Sequence, residues 1–375
     1  MYDLGVVVFS LFAIFVANIL KQNNMKAKIL LIAVLLTGAL KGAAQNDVAI
    51  ATLQHGDEVS VFKGPSALAS TLAAASDEGG DVITLSEGSF TAATITKPVS
   101  IYGAGFETDN AEGTLLTTIS GNLTVGKGDN TTLSNVHLEG FYLDGQLNVG
   151  GQYNNGPLEN LRVVKVMAKT MFAQSTSSNT SFDQCIIMGS FDCDRAGGAS
   201  GIYDFNFRNC IMSCGSFRYY TQASSSIVLD HCIFNANHLS SSTTGAPFNN
   251  SYSNLLRLRN SIYIKASGSG GAYGWPSGSD IKNCISDRDM SGFENCYQVA
   301  LANIFEDGED GTYSPDRTYV LNPEQSSEWI GTDGTEIGIH GGNGWSKVPS
   351  TPVVKNLSVT PDGTNLNVTY DAVVR

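Results

Sequence analysis

Asp192-Cys193-Asp194-Arg195 sets two carboxylates and a guanidinium side by side. Counted from the nearest upstream cysteine, Asp192 lies seven residues after Cys185 and Asp194 nine after. Phe217, Arg218 and Tyr219 lie seven to nine after Cys210, and Tyr220 follows. Stacked in register, Asp192, Asp194, Arg195 and Arg218 would face Phe217, Tyr219 and Tyr220 across one rung. Paired carboxylates beside arginine are what glycoside hydrolysis or calcium binding requires. Asp192, Asp194 and Arg218 are therefore the catalytic candidates, and Asp192 and Asp194 the metal candidates, with calcium the ion they suit. Arg195 and the three aromatics are candidate ligand contacts, because rings stack on sugar faces. Tyr273 and Trp275, within a Gly/Ser-rich loop, form a second candidate sugar platform. The competing reading is a solvated salt-bridge cluster with ordinary surface and loop aromatics.

Other charged groups read more simply. Asp287-Arg288-Asp289 sits at a different offset and reads as a turn, and Glu306 to Asp310 lacks the full EF-hand spacing. No serine or cysteine has a recognisable nucleophile context. No Cys-x-x-Cys occurs and the histidines are scattered, which argues against zinc.

The elements that must position these residues repeat. Gln184-Cys185-Ile186-Ile187, Asn209-Cys210-Ile211-Met212, His231-Cys232-Ile233-Phe234, Asn260-Ser261-Ile262-Tyr263 and Asn283-Cys284-Ile285 recur at steps of 25, 22, 29 and 23 residues. Such a period signals a stacked repeat. An apolar residue precedes each phrase (Phe182, Phe207, Leu229, Leu258, Ile281). Asn tolerates the left-handed backbone of a tight bend, and the small residue after it suits a narrow interior. Asn135-Val136-His137-Leu138 and Asn160-Leu161-Arg162-Val163 are read as earlier copies. The period is too short for the longer helical repeats, and the Leu-x-x-Leu-x-Leu pattern of leucine-rich repeats is missing. The fold expected is all-β: a right-handed parallel β-helix whose coils run from about Val82 to Phe305. Cys185, Cys210, Cys232 and Cys284, with Ser261 as the substituted rung, are expected to form an internal thiol ladder. A Cys193–Cys214 bridge is the alternative use of the remaining thiols.

The chain has 375 residues, 15% of them charged, and a net charge of −13. That excludes the basic footprint of a nucleic-acid binder. Met25-Lys26-Ala27-Lys28, the apolar run to Leu36 and the small-residue exit at Gly42-Ala43-Ala44-Gln45 read as a signal peptide over 25–45. Residues 1–24 read as an extension upstream of the true initiator Met25. An N-terminal membrane anchor is the alternative, although the run from Gly5 to Leu20 is short for a span.

In chain order, a strand near 58–62 precedes a helix over 67–75, opened by Pro65-Ser66. Leu68, Leu72 and Ala75 share a face expected to plug the open end of the solenoid. Gly80-Asp81, Ile83, Leu85, Gly88, Phe90, Ile95, Pro98-Val99, Ile101, Gly103 and Gly105 follow. Residues 59–105 thereby resemble the N-terminal portion of the pectin-lyase-like superfamily, where a small helix leads into a "gd.I.L..G.y" strand-turn and an "i..pv.i.G.g" strand. The resemblance implies the β-helix, and a choice among lyases, hydrolases, esterases, adhesins and phage fibres. The superfamily's calcium-dependent lyases use clustered acids with Arg or Lys as base, its hydrolases several Asp, and its methylesterases two Asp and an Arg. Here the lyases' Asp-His and Arg-x-Pro-x-x-Arg signatures are absent. So are the hydrolases' Asn-Thr-Asp and Arg-Ile-Lys, and His340 is not in their Gly-His-Gly.

Tyr319-Val320-Leu321 and residues 331–342 are expected to close the C-terminal end; the latter resemble a "DGt.iGi.GG" tail of exported Gram-negative β-helix proteins. The β-helix is thus assigned to 46–346, a linker to 347–353 and a β-hairpin to 354–375, with Pro361-Asp362-Gly363 as its turn. The hairpin is read as the start of a truncated immunoglobulin-like module, or else as packing on the solenoid. The functional expectation is a monomeric, non-catalytic protein, secreted, periplasmic or on the surface of a Gram-negative bacterium, that binds polysaccharide or glycan. Membrane contact would come only through the signal or an N-terminal anchor. A lyase or hydrolase acting on an acidic glycan, and a structural or adhesive module, are the alternatives.

Overall fold

The computed structural model describes residues 49–373, apart from 110–113, 152–155, 193–201, 214–215, 219–225, 237–255, 266–279, 309, 351–352 and 363–364. The signal-peptide and anchor expectations fall before residue 49, outside the described residues. The Cys193–Cys214 bridge also lies outside the described residues. Among the described residues no helix is long and apolar enough to cross a membrane.

Among the described residues, twenty-four strands join in one sheet, with parallel pairing throughout the solenoid. An antiparallel pair, Ile50–His55 and Glu58–Lys63, opens it, and the first of these lies antiparallel on Asp81–Leu85. The sequence had shown only the second strand of this pair. The helix Ala67–Ala74 follows, and its Leu68 and Leu72, with Ala75, pack into the core of the first coil as expected.

One bend recurs along the solenoid. Lys165, Gln184, Asn209, His231, Asn260, Asn283 and Asn295 all hold φ between 50° and 56° except Asn209 at 49°. Register places them in one column: Val164 pairs Asp183 and Met167 pairs Ile186, and the pattern repeats down the stack. Gly140, φ 73°, begins the column, since Glu139 pairs Val164 and Phe141 pairs Val166. Here glycine is required twice over, because a Cβ on Gly103 in the coil before would come within 2.3 Å of the Gly140 carbonyl oxygen.

Asn135 and Asn160 are left-handed too, but they belong to another corner, one strand earlier in the coil. Asn179 completes that second column, and its side-chain amide donates to Asn160 (2.7 Å) as Asn160 does to Asn135 (3.1 Å). The sequence reading merged the two corners because both demand the same backbone, and Asn meets that demand at either.

Inside the coil, the residue two positions before each corner from Gly140 to Asn283 lies in a buried column, Leu138, Val163, Phe182, Phe207, Leu229, Leu258 and Ile281, and Ile101 joins it by its register with Leu138. The Phe182 and Phe207 rings stack at 4.6 Å and 12°. The residue after each corner also points inwards, and Cys185, Cys210, Cys232, Ser261 and Cys284 are all fully or nearly fully buried. The thiol ladder is as expected, with Ser261 as its substituted rung. It has one further member: Cys296, twelve residues after Cys284, follows Asn295 and lies beside Cys284 through the Ile285–Tyr297 pairing. Each member donates to the carbonyl two residues back, as in Cys185 to Asp183 (3.5 Å), Cys210 to Arg208 (3.2 Å) and Ser261 to Arg259 (2.6 Å).

The next residue, Ile186, Ile211, Ile233, Ile262 or Ile285, points outwards yet is buried. A second hydrophobic cluster covers it, built with Ile304, Phe305, Tyr319, Leu321, Trp329, Ile337 and Ile339. Residues 304–308 and 310–350 thus form a strap along the flank, running back from the last coils to the first. The 331–342 segment does not close the C-terminal end as the sequence suggested. The end is closed by residues 287–296, whose Met290 and Phe293 pack on the interior.

The corner side chains fasten the strap. Asn283 donates to Ile330 O (2.8 Å), and Asn260 accepts from Thr332 N (2.7 Å). His231 faces Asp333 Oδ2 (3.1 Å) and Gly338 O (3.2 Å). Asn209 donates to Ile339 O and Gly341 O, Gln184 to Gly344 O (2.7 Å), and Lys165 to Val348 O. Gly341 lies so close that a Cβ there would meet the His231 ring at 2.5 Å.

Strands Val353–Asp362 and Asn365–Val373 form a separate antiparallel pair, the expected hairpin, but Pro361 pairs with Leu366 and Asp362 with Asn365, so both belong to the strand and not to the turn the sequence suggested.

Candidate functional site

A third strand face follows the isoleucine row within each coil, and the sequence-derived candidates fall on it. Ile186–Asp192 pairs with Ile211–Met212 and then with Ser216–Arg218. Two residues separate Ile187 from Ser190, but three separate Met212 from Ser216, so the second coil gains one residue. The register therefore sets Asp192 opposite Arg218, not opposite Phe217, as equal spacing from the cysteines implied. Phe217 instead shares the position of Phe191, whose ring is fully buried. Asp194, Arg195, Tyr219, Tyr220, Tyr273 and Trp275 lie outside the described residues.

Going back through the coils from Asp192, the same column holds Phe172, Asn148 and Thr124. The alternate positions Leu147, Met171 and Phe191 are buried in the core, so this column belongs to the outer side of the pleat. Phe172 and Asp192 are half-buried there. Asn148 donates Nδ2 to Thr124 Oγ1 (3.1 Å), while its Oδ1 is buried with no partner among the described residues. A buried acceptor without a partner calls for an explanation in a native structure. Thr124, Asn148, Phe172, Asp192 and Arg218 thus occupy five consecutive rungs about 4.8 Å apart. The sequence does not single out Phe172, because 162–173 reads as one near-continuous apolar strand, nor Asn148, which lies in a different strand, His137–Val149.

Among the described residues, no group of three or more His, Cys, Asp or Glu is placed to hold a metal ion. Asp289 accepts from Ser291 N (2.8 Å), which makes Asp287-Arg288-Asp289 a turn. Asp310 accepts from Thr312 N (2.9 Å) and from Arg317, and these bonds outweigh its burial to hold the carboxyl below its ordinary range.

A second constellation lies on the strand face before the main corner, in the early coils. Register sets Tyr102 beside Glu139 and His137 beside Arg162. The Tyr102 and His137 rings lie 5.0 Å apart, tilted by 38°. Glu139 is buried and bonded to His137 Nε2 (2.9 Å) and to the strap through Ser350 N (2.6 Å). Burial alone would raise its pKa, but the His137 and Ser350 bonds prevail and lower it. Burial, with Glu139 alongside, raises the Tyr102 phenol and keeps it a donor. Arg162 is 62% exposed, its Nε 3.7 Å from Asp183. The patch presents a ring, an imidazole and a guanidinium on a rigid floor; the Glu139 carboxylate is spent on orienting His137 and anchoring the strap, and that of Asp183 lies against Arg162. Nothing in the sequence marked it beyond a lone His in a strand.

No protein-family model, no curated protein and no solved structure matches this chain.

Proposed function

We propose that the chain is an exported β-helix of the pectin-lyase-like kind that binds polysaccharide or glycan at or beyond the surface of a Gram-negative bacterium without cleaving it. The observation that carries the reading is the outer column Asn148, Phe172, Asp192 and Arg218 on consecutive rungs. It offers an aromatic ring flanked by hydrogen-bonding and charged residue types, and Asn148 Oδ1 beside that ring has no partner among the described residues. A sugar needs the same combination, a ring for its apolar face and polar groups for its hydroxyls. Parallel strands hold the spacing rigid, so a chain of sugars laid along the axis meets a new rung about every 4.8 Å. The leader-like residues 25–45 supply the argument for export.

The enzyme reading has one specific support, the pairing of Asp192 with Arg218. Both readings are tested with the purified chain on an array of acidic and neutral glycans, alongside assays for reducing ends and unsaturated products. Binding predicts retention on at least one glycan, lost at least tenfold in Phe172→Ala, with no product. Product that disappears in Asp192→Asn would replace binding by catalysis. Indifference to every glycan would leave a structural or adhesive module.

A further inference from the structure

We infer that Cys284 and Cys296 form a disulfide site, oxidised by a disulfide-bearing partner, that staples the cap over the C-terminal end of the solenoid. The inference does not depend on glycan binding. The two residues follow equivalent corners, Asn283 (φ 50°) and Asn295 (φ 52°). They flank the segment that closes the core, with Met290 and Phe293 between them. Backbone bonds on both sides hold the two rungs in register: Asn283 N donates to Glu294 O (3.0 Å), and Tyr297 N to Cys284 O (2.8 Å). In-register neighbours lie about 4.8 Å apart, within the Cα separation that a disulfide spans. Both thiols are free in this structure, and both donate to the carbonyl two residues back, which points the sulfurs the same way.

Two features single this pair out from the rest of the ladder. Cys185, Cys210 and Cys232 are buried in the middle of the stack, whereas Cys296 is half-exposed at its end. Ser261 also separates the two groups, so Cys284 has a thiol neighbour on one side only, and exchange cannot run further down the column. The neighbouring Cys284 thiol lowers the pKa of Cys296, while burial raises that of Cys284. The attacking thiolate is therefore Cys296, since the thiolate is the nucleophile in exchange.

The step balances. Cys296 Sγ⁻ attacks one sulfur of the oxidant's S–S bond, giving a mixed disulfide and one released thiolate. That thiolate takes the Cys284 proton. Cys284 Sγ⁻ then displaces the remaining oxidant sulfur from Cys296, forming the Cys284–Cys296 bond and a second released thiolate, which takes from solvent the proton that Cys296 gave up. Two protein thiols are oxidised and one oxidant disulfide is reduced.

The test treats the full chain with oxidised glutathione at mildly alkaline pH, alkylates the remaining thiols and maps peptides by mass. The expected result is the loss of two alkylatable thiols, a Cys284–Cys296 cross-linked peptide and a raised melting temperature, all reversed by dithiothreitol. Cys284→Ser should stop at a stable glutathione adduct on Cys296, and Cys296→Ser should leave Cys284 reduced. The inference is overturned if wild-type chain keeps the glutathione adduct on Cys296 without closing the bond. It is equally overturned if both thiols remain alkylatable while other cysteines oxidise.

Discussion

Asn209 Nδ2 donates to the carbonyl oxygens of Ile339 (2.8 Å) and Gly341 (2.7 Å), more than a hundred residues further along the chain. The same residue holds φ at 49° so that the coil can turn. One side chain therefore serves two scales, a local bend and a clasp between the solenoid and its strap. Asn suits both, because a short amide tolerates the left-handed region and carries a donor out of the bend.

The two roles are separable by substitution. Asn209→Gly keeps the bend and removes the clasp, leaving two carbonyls without their donor, and should cost about 2–4 kcal/mol. Asn209→Ala should cost about 1–2 kcal/mol more, the penalty of a Cβ in a left-handed conformation. Urea denaturation of both variants measures this. A glycine variant as stable as wild type would show that the clasp contributes nothing.

Ile233 follows an inward-pointing cysteine in an extended strand, so by parity it faces out, yet it is fully buried under the strap. Ile233→Ala should then behave as a core truncation, costing about 2–5 kcal/mol. A surface residue would change stability by roughly 0.5 kcal/mol or less. Leu229→Ala in the interior of the same coil is the matched control, and the two should agree within a factor of two.

The corner phrase made the solenoid legible because its three positions answer three separate demands: a left-handed residue, a small inward residue and an apolar one. The third demand also held the clue to the strap. Cys232 and Ile233 are consecutive and opposite in parity, so an interior alone cannot bury both. The strap itself, rich in Gly and turn residues over 331–344, has no periodicity to reveal where it docks. On the candidate site, counting from Cys185 and Cys210 missed one inserted residue between Met212 and Ser216, enough to exchange the inward and outward rows. Phe172 stayed hidden because an outward aromatic within Arg162–Ala173 looks like core until the register is known.

Acid should loosen the strap. Burial raises the pKa of Asp333, but bonds from Thr335 and His231 outweigh it and hold the carboxyl below its ordinary range. Glu139 is lowered likewise through His137 and Ser350. Groups with a depressed folded-state pKa contribute stability above their unfolded values, about 3.9 for Asp and 4.3 for Glu, and lose it as pH falls below them. The melting temperature should therefore drop between about pH 5 and the lower folded-state values. Asp333→Asn and Glu139→Gln should each start lower at neutral pH and show a shallower acid slope. Parallel curves for variants and wild type would remove these carboxylates from the account.

The thiol ladder should accept oxygen and refuse bulk. Ser261 already shows how a hydroxyl fits: it donates to Arg259 O (2.6 Å) and accepts from Cys232 N (3.0 Å). Cys210 has the same surroundings, donating to Arg208 O (3.2 Å) and accepting from Cys185 N (3.4 Å). Cys210→Ser therefore keeps every bond, and its cost should stay near 1 kcal/mol, the scale of a single hydrogen-bond rearrangement. Cys210→Leu forces added methyl groups into the buried column between Cys185 in the coil before and Cys232 in the coil after, where overpacking costs about 1–3 kcal/mol. Since the rungs share one column, the strain should spread to both neighbours. Hydrogen exchange would then rise over 182–187 and 229–234 as well as at the mutated rung. A leucine variant as stable as the serine one would mean that the interior is wider than the register implies.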